Sequence, residues 1–156
     1  MSTPFALLAA LLNRASPDAG VQEIPPPDFY RRALEEPVKT ATAEDVAQWL
    51  SEKSAVLVDL RSPADFAARH IDGAVNLPAT ELTEERAKQL LGASKEARIV
   101  VYCDDQLLPT RRIALTTFGA PALRELGYTH LWRLEDLWMR RGELPKGFCI
   151  VERDPR

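Results

Sequence analysis

Two short apolar runs constrain this chain more than anything else in it. Ala55-Val56-Leu57-Val58-Asp59-Leu60 and Arg98-Ile99-Val100-Val101-Tyr102 are brief, nearly continuous and rich in β-branched residues. That is the pattern of strands covered on both faces, as in a parallel sheet. Helix signals surround them. Thr42-Ala43-Glu44-Asp45 reads as a helix start with Val46, Trp49 and Leu50 on one face. After the first strand, Ser62 is placed as an N-cap, Pro63 at the first helical position and Asp65 where it helps the cap. Thr83 opens a helix carrying Ala87, Leu90 and Leu91. Beyond the second strand a helical region is expected from about Thr110, interrupted by Gly119 and Pro121 and closed by Gly127 as C-terminal cap. A third strand, His130–Leu134, precedes a closing helix over Glu135–Arg141. Strands alternating with helices predict an α/β fold of three layers, a central parallel sheet flanked by helices.

The 156 residues make one domain of ordinary size. Residues 1–40 read as an N-terminal extension. Ser16–Gly20 is loop chemistry, Pro25-Pro26-Pro27 a stiff spacer, and Asp28–Glu35 a short helix capped by Asp28. The main domain is placed at 41–145 and a C-terminal tail at 146–156. The longest apolar stretch, Phe5–Leu12, is far shorter than the ~20 residues of a membrane-spanning helix. With no Lys or Arg ahead of it, it makes a poor export signal, so a cytoplasmic location is expected, with a periplasmic one as the alternative. Twenty basic against 23 acidic residues leave a net charge of −3. No global attraction to nucleic acid or anionic lipid follows, so any anion site must be built locally.

In open parallel sheets, ligands bind beyond the carboxyl ends of the strands. One strand ends at Asp59-Leu60-Arg61, the other at Tyr102-Cys103-Asp104-Asp105. A cysteine there sits where loop amides and a helix start favour an anion and a nucleophilic thiolate. The alternative is a small buried hydrophobe. Asp59 and Arg61 are expected to tie neighbouring loops together by charge-assisted hydrogen bonds. His70 is a candidate base for Cys103, His130 a packing residue, and Trp49, Trp132 and Trp138 core residues. Cys149, in the tail, is a candidate to resolve an oxidised Cys103. Two histidines and two cysteines at these spacings make no metal site, and no cofactor is expected.

The segment Leu57–Pro78 contains Asp59-Leu60-Arg61 and then His70-Ile71-Asp72-Gly73-Ala74-Val75-Asn76-Leu77-Pro78. It resembles the first signature of the rhodanese family, D-x-R followed by a short helix and H-I-x-G-A-x-N-x-P. Val100–Cys103 resembles the strand leading to that family's active-site cysteine, and Leu126–Glu135 its closing elements. The resemblance covers about residues 42–142. It implies a rhodanese-like fold and sulfur transfer through a persulfide on Cys103, from a small anionic donor such as thiosulfate, or a persulfide, to a thiol or cyanide. It also implies that His70 is a structural residue of its loop.

The cysteine loop departs from the pattern. The common loop runs C-x-x-G-x-R and then a small residue. Here Cys103-Asp104-Asp105-Gln106-Leu107-Leu108-Pro109-Thr110-Arg111-Arg112 has no glycine, and its first arginine comes eight positions after the cysteine. The spacing from Cys103 to Gly127 is also long for the family. Arg111 and Arg112 are the candidate donor-binding cations, and the amides of Asp104, Asp105, Gln106, Leu107 and Leu108 the candidate anion cradle. The carboxylates of Asp104 and Asp105 oppose a thiolate unless they face solvent. A related cysteine fold that cleaves phosphate esters needs arginine six positions after the cysteine. Position 109 is proline, which argues against that chemistry. Two readings follow: a sulfurtransferase, or a non-catalytic rhodanese-fold module that acts by binding a protein partner.

Overall fold

The structure, a computed structural model, describes residues 38–109 and 115–153. The expected helix at Asp28–Glu35, the Phe5–Leu12 stretch, the Pro25–Pro27 spacer, Arg111 and Arg112 lie outside the described residues.

Five strands form one parallel sheet: β1 (Lys39–Ala41), β2 (Ala55–Asp59), β4 (Val75–Asn76), β5 (Arg98–Tyr102) and β6 (Leu131–Leu134). Their order across the sheet is β1-β6-β5-β2-β4. A separate antiparallel pair joins β3 (Arg69–Ile71) to β7 (Ile150–Glu152), so the last described residues fold back onto the chain that follows the first site strand. The helices are α1 (Ala43–Ser51), α2 (Pro63–Ala68), α3 (Glu84–Leu91), α4 (Asp104–Leu107) and α5 (Thr116–Glu125). Among the described residues no helix is long and apolar enough to cross a membrane.

Side-chain alternation along the two central strands divides the core into two layers. Val58, Ile99 and Val101 point into one, with Leu60, Leu77, Leu91, Leu123 and Tyr128. Leu57, Val100 and Tyr102 point into the other, with Ala41, Val46, Ile71 and Leu134. All of these positions are buried, so neither face of the sheet meets water. This is the arrangement the apolar runs predict.

The helix starts behave as their residues dictate. Thr42 and Asp45 form a reciprocal capping box on α1. The Ser62 hydroxyl accepts the Asp65 amide, with Pro63 in the first turn of α2. Two expectations need correction. Gly119 and Pro121 do not interrupt the helix but lie inside α5. Gly119 gives α5 room beside the end of β2: a Cβ there would fall 2.5 Å from Leu60 Cδ1, so the Leu60 side chain would have to shift. The expected helix start near Thr110 lies outside the described residues; α5 is described from Thr116, and a separate short helix, α4, directly follows Cys103. The closing helix shrinks to a 3-10 turn at Leu137–Met139. Side chains at its start are taken by distant partners: Glu135 accepts the Ala43 amide at 2.7 Å, and Asp136 accepts the Gln106 side-chain nitrogen at 3.3 Å. Those tertiary bonds override local helix propensity.

Candidate functional site

Register places the two chemically distinctive strand ends side by side. Asp59 pairs with Tyr102 across β2 and β5, and the Leu60 amide donates to the Tyr102 carbonyl at 3.0 Å. Arg61 and Cys103 therefore leave the sheet next to each other. The Asn76 amide group clamps the end of β2, donating to the carbonyls of Asp59 and Arg61 at 3.1 and 3.0 Å.

Asp59 and Arg61 are both buried, and the guanidinium grips the carboxylate through Nε at 3.0 Å and a terminal nitrogen at 2.7 Å. Arg61 reaches further, to Asp104 at 3.3 Å and to the Arg69 carbonyl. One side chain thus links β2, α4 and β3. Burial disfavours its charge, but the hydrogen bonds and negative charge of Asp59 outweigh that and hold its pKa above the usual arginine range. The same contact answers the expected conflict between Asp104 and the thiol: that carboxylate is paired with a cation. Beside this pair, the Tyr102 hydroxyl accepts the Ile71 amide at 3.1 Å. Burial first, and the nearby Asp59 charge second, push its pKa upward.

Cys103 is 2% exposed, with extended backbone at the start of α4. Burial pushes its thiol pKa up. The backbone amides of Asp105, Thr116 and Leu115 act against this by facing the sulfur, while the Asp105 charge adds to the upward shift. Of these three, one comes from the 104–108 segment that the sequence singles out, where the Gln106 amide also faces the thiol in the capping box at the start of α4. The other two come from the start of α5. The long loop therefore does not remove the cradle. Leu115 and Thr116, beyond that loop in sequence, bring their amides to the sulfur.

The first turn after Cys103 is braced from behind. Gln106, fully buried, accepts the Cys103 amide on its side-chain oxygen at 2.9 Å and directs its nitrogen to Asp136 at 3.3 Å. The Asp105 carbonyl would ordinarily take an amide from four residues on, but that residue is Pro109, which has none. The Trp138 indole N–H fills the vacancy at 2.8 Å. Trp138 is 46% exposed, which corrects its assignment to the core. Leu107 is buried against the second core layer and Leu108 is exposed.

The remaining candidates sit as follows. His70 spends its Nδ1–H on the Phe66 carbonyl at 2.8 Å and stacks its ring on Phe66, 4.1 Å between centroids. Nothing couples it to Cys103. His130 is exposed rather than packed in the core, with its ring edge-on to Trp132. Trp49 and Trp132 meet edge to face at 5.4 Å, partly buried against the second core layer. Cys149 is an exposed free thiol and Cys103 a buried one. Among the described residues no group of three or more His, Cys, Asp or Glu side chains could hold a metal ion.

Comparison with known proteins agrees with this geometry. The family model described as "Rhodanese-like domain" matches residues 42–138. A putative mitochondrial thiosulfate sulfurtransferase of Schizosaccharomyces pombe is 31% identical over 97 residues, 56% of this chain and 63% of that protein. A tRNA uridine(34) hydroxylase of Buchnera aphidicola is 24% identical over 95 residues, 60% of this chain but 27% of its own length. The chain thus spans about a quarter of the length of that relative. Among solved structures, a thiosulfate sulfurtransferase from Pseudomonas aeruginosa superposes with a TM-score of 0.54 at 21% identity, over 69% of this chain and 19% of that one. A Bacillus halodurans protein superposes with a TM-score of 0.51 at 21% identity, over 69% and 74% of the two chains.

Proposed function

The chain belongs to the rhodanese-like domain family, and from that premise we propose that it is a sulfurtransferase carrying sulfane sulfur on Cys103. The observation that carries this reading is the set of three amides, from Asp105, Thr116 and Leu115, facing a cysteine at the end of a central strand. In the proposed cycle the thiol first loses its proton to solvent. Its thiolate then attacks the outer sulfur of thiosulfate. A sulfur–sulfur bond forms on Cys103, and sulfite departs with the electron pair of the bond that breaks. The product, a persulfide, keeps its negative charge on the terminal sulfur. An acceptor thiolate or cyanide then attacks that sulfur, takes it, and returns Cys103 as thiolate. This is covalent catalysis with ping-pong kinetics.

Amides aimed at the sulfur stabilise the anion in both states. Arg111 and Arg112, in the segment between Leu108 and Leu115, are assigned to the anionic donor, since a guanidinium matches sulfonate-like oxygens as it matches phosphate. Loading is the direct test. Incubation with thiosulfate followed by intact mass should show one added sulfur that is absent in Cys103→Ser.

A second reading rests on the 2% exposure of Cys103 and its raised thiol pKa. Both suit a fold retained for binding a protein partner without turnover. A chain that gains no sulfur from thiosulfate or from a low-molecular-weight persulfide would decide for that reading.

A further inference from the structure

We propose that the side chain of Gln106, held at its far end by Asp136, is the positioning residue that aims the Cys103 sulfur into its ring of amides. The inference rests on reading Cys103 as the sulfur-carrying nucleophile. It assigns a role that the loop pattern C-x-x-G does not contain, because the third residue after the cysteine is here a glutamine rather than a glycine.

Three observations carry it. First, the Gln106 carboxamide is saturated in one direction only: its oxygen takes the Cys103 amide at 2.9 Å and its nitrogen gives to Asp136 at 3.3 Å. An amide cannot swap these roles against a carboxylate, so the orientation is fixed by Asp136, which Arg133 in turn anchors at 3.1 Å. Second, the bond is made to the backbone of the nucleophile itself, and Gln106 is 0% exposed, so water cannot replace it. The Cys103 N–H is thereby withdrawn from the sulfur's own donors, which come from Asp105, Thr116 and Leu115. Third, the segment that holds Asp136 grips α4 a second time, through the Trp138 indole on the Asp105 carbonyl at 2.8 Å. The turn that carries the Asp105 amide is therefore held on either side of it, at the Cys103 N–H and at the Asp105 carbonyl, by bonds that lead back to one segment. With only four residues, α4 has little rigidity of its own. These bonds supply what helix length does not.

The test uses the full chain with Cys149→Ser, so that iodoacetamide reports Cys103 alone, over a pH series. Gln106→Leu fills the space but leaves the Cys103 N–H without an acceptor. It should move the alkylation midpoint upward by ~1 pH unit, slowing reaction at neutral pH by ~10-fold. Gln106→Glu keeps the acceptor and sets a carboxylate against Asp136, and should shift the profile the same way. Adding Asp136→Asn restores a donor opposite Glu and should recover part of the shift. A role confined to stability would lower the melting temperature and leave the midpoint in place. Profiles of Gln106→Leu and Gln106→Glu that superpose on the parent would overturn the inference. Should Gln106→Leu fail to fold, Gln106→Glu and its double variant decide alone. Sulfur loading of the parent is measured in parallel. A parent that takes no sulfur, with midpoints that still move, removes the transferase reading and leaves Gln106 as the positioning residue of the thiol. A parent that loads sulfur while the midpoints stay put does the reverse.

Discussion

At the scale of single residues, the site is a set of buried charges whose neighbours are already chosen. Arg61 is the extreme case, with a carboxylate on each side and a carbonyl beneath it. Removing Asp59 leaves that guanidinium buried with one longer contact to Asp104. Breaking one side of a buried pair costs about 3–5 kcal/mol. Asp59→Ala is therefore expected to lose stability of that order in a denaturant titration, while the fraction that stays folded keeps most of its sulfur-loading rate. A folded, fully stable and inactive Asp59→Ala would assign the carboxylate to the chemistry instead. Asp104 carries the opposite lesson. Its neighbour in sequence is the proposed nucleophile, yet its charge is paired with Arg61, and Asp105 is the carboxylate whose charge opposes the thiolate.

Among elements, α5 shows how a local rule fails for a tertiary reason. Gly119 and Pro121 read as an interruption, since both are poor in helix interiors. The helix runs through both, and at 119 it lies so close to Leu60 that a Cβ would force that side chain to shift. Gly119→Ala gains ~1 kcal/mol of helix propensity but overpacks a core contact, at a cost of about 1–3 kcal/mol. A net loss of ~1 kcal/mol, seen as a lower thermal midpoint, is the expected outcome, and a more stable variant would show that Leu60 yields. What could be read from the sequence divides along the same line. The central strands and the capped helix starts were legible because their signals are local: β-branched runs, Thr42 with Asp45, Ser62 with Pro63. The place of Cys103 at a strand end was equally plain. The donors from Leu115 and Thr116, the Gln106–Asp136 brace and the Trp138 strut were not, because each joins residues brought together only by the return of the chain. The 3-10 turn at Leu137–Met139 was mistaken for a helix for the same reason: Glu135 and Asp136 answer to partners elsewhere in the fold.

For the whole molecule, the buried thiol and phenol link stability to pH. Cys103 and Tyr102 both titrate above their ordinary values, Cys103 through burial and Tyr102 through burial and then the Asp59 charge. The folded state thus holds these protons more tightly than the unfolded chain does. That preference is fully present below the ordinary thiol pKa of ~8.5 and is lost as pH rises through the raised folded value. Stability measured by denaturant should fall on the alkaline side, first through Cys103 and then, above about pH 10, through Tyr102. Cys103→Ser should flatten the earlier part of that decline. An unchanged slope would mean that the thiol ionises in the folded state as easily as in a free peptide.

The strand order has a consequence for how the protein is made. Among the described strands β1 pairs with β6 alone, and β6 also with β5, so Lys39–Ala41 waits for the much later Leu131–Leu134 before it has a neighbour. The return of α5 to the sulfur falls in the same late window. A nascent chain that has emerged only as far as Cys103 therefore holds that thiol without β6 beside its strand and without the Leu115 and Thr116 amides, and the thiol gains its full set of neighbours only once α5 and β6 have emerged too.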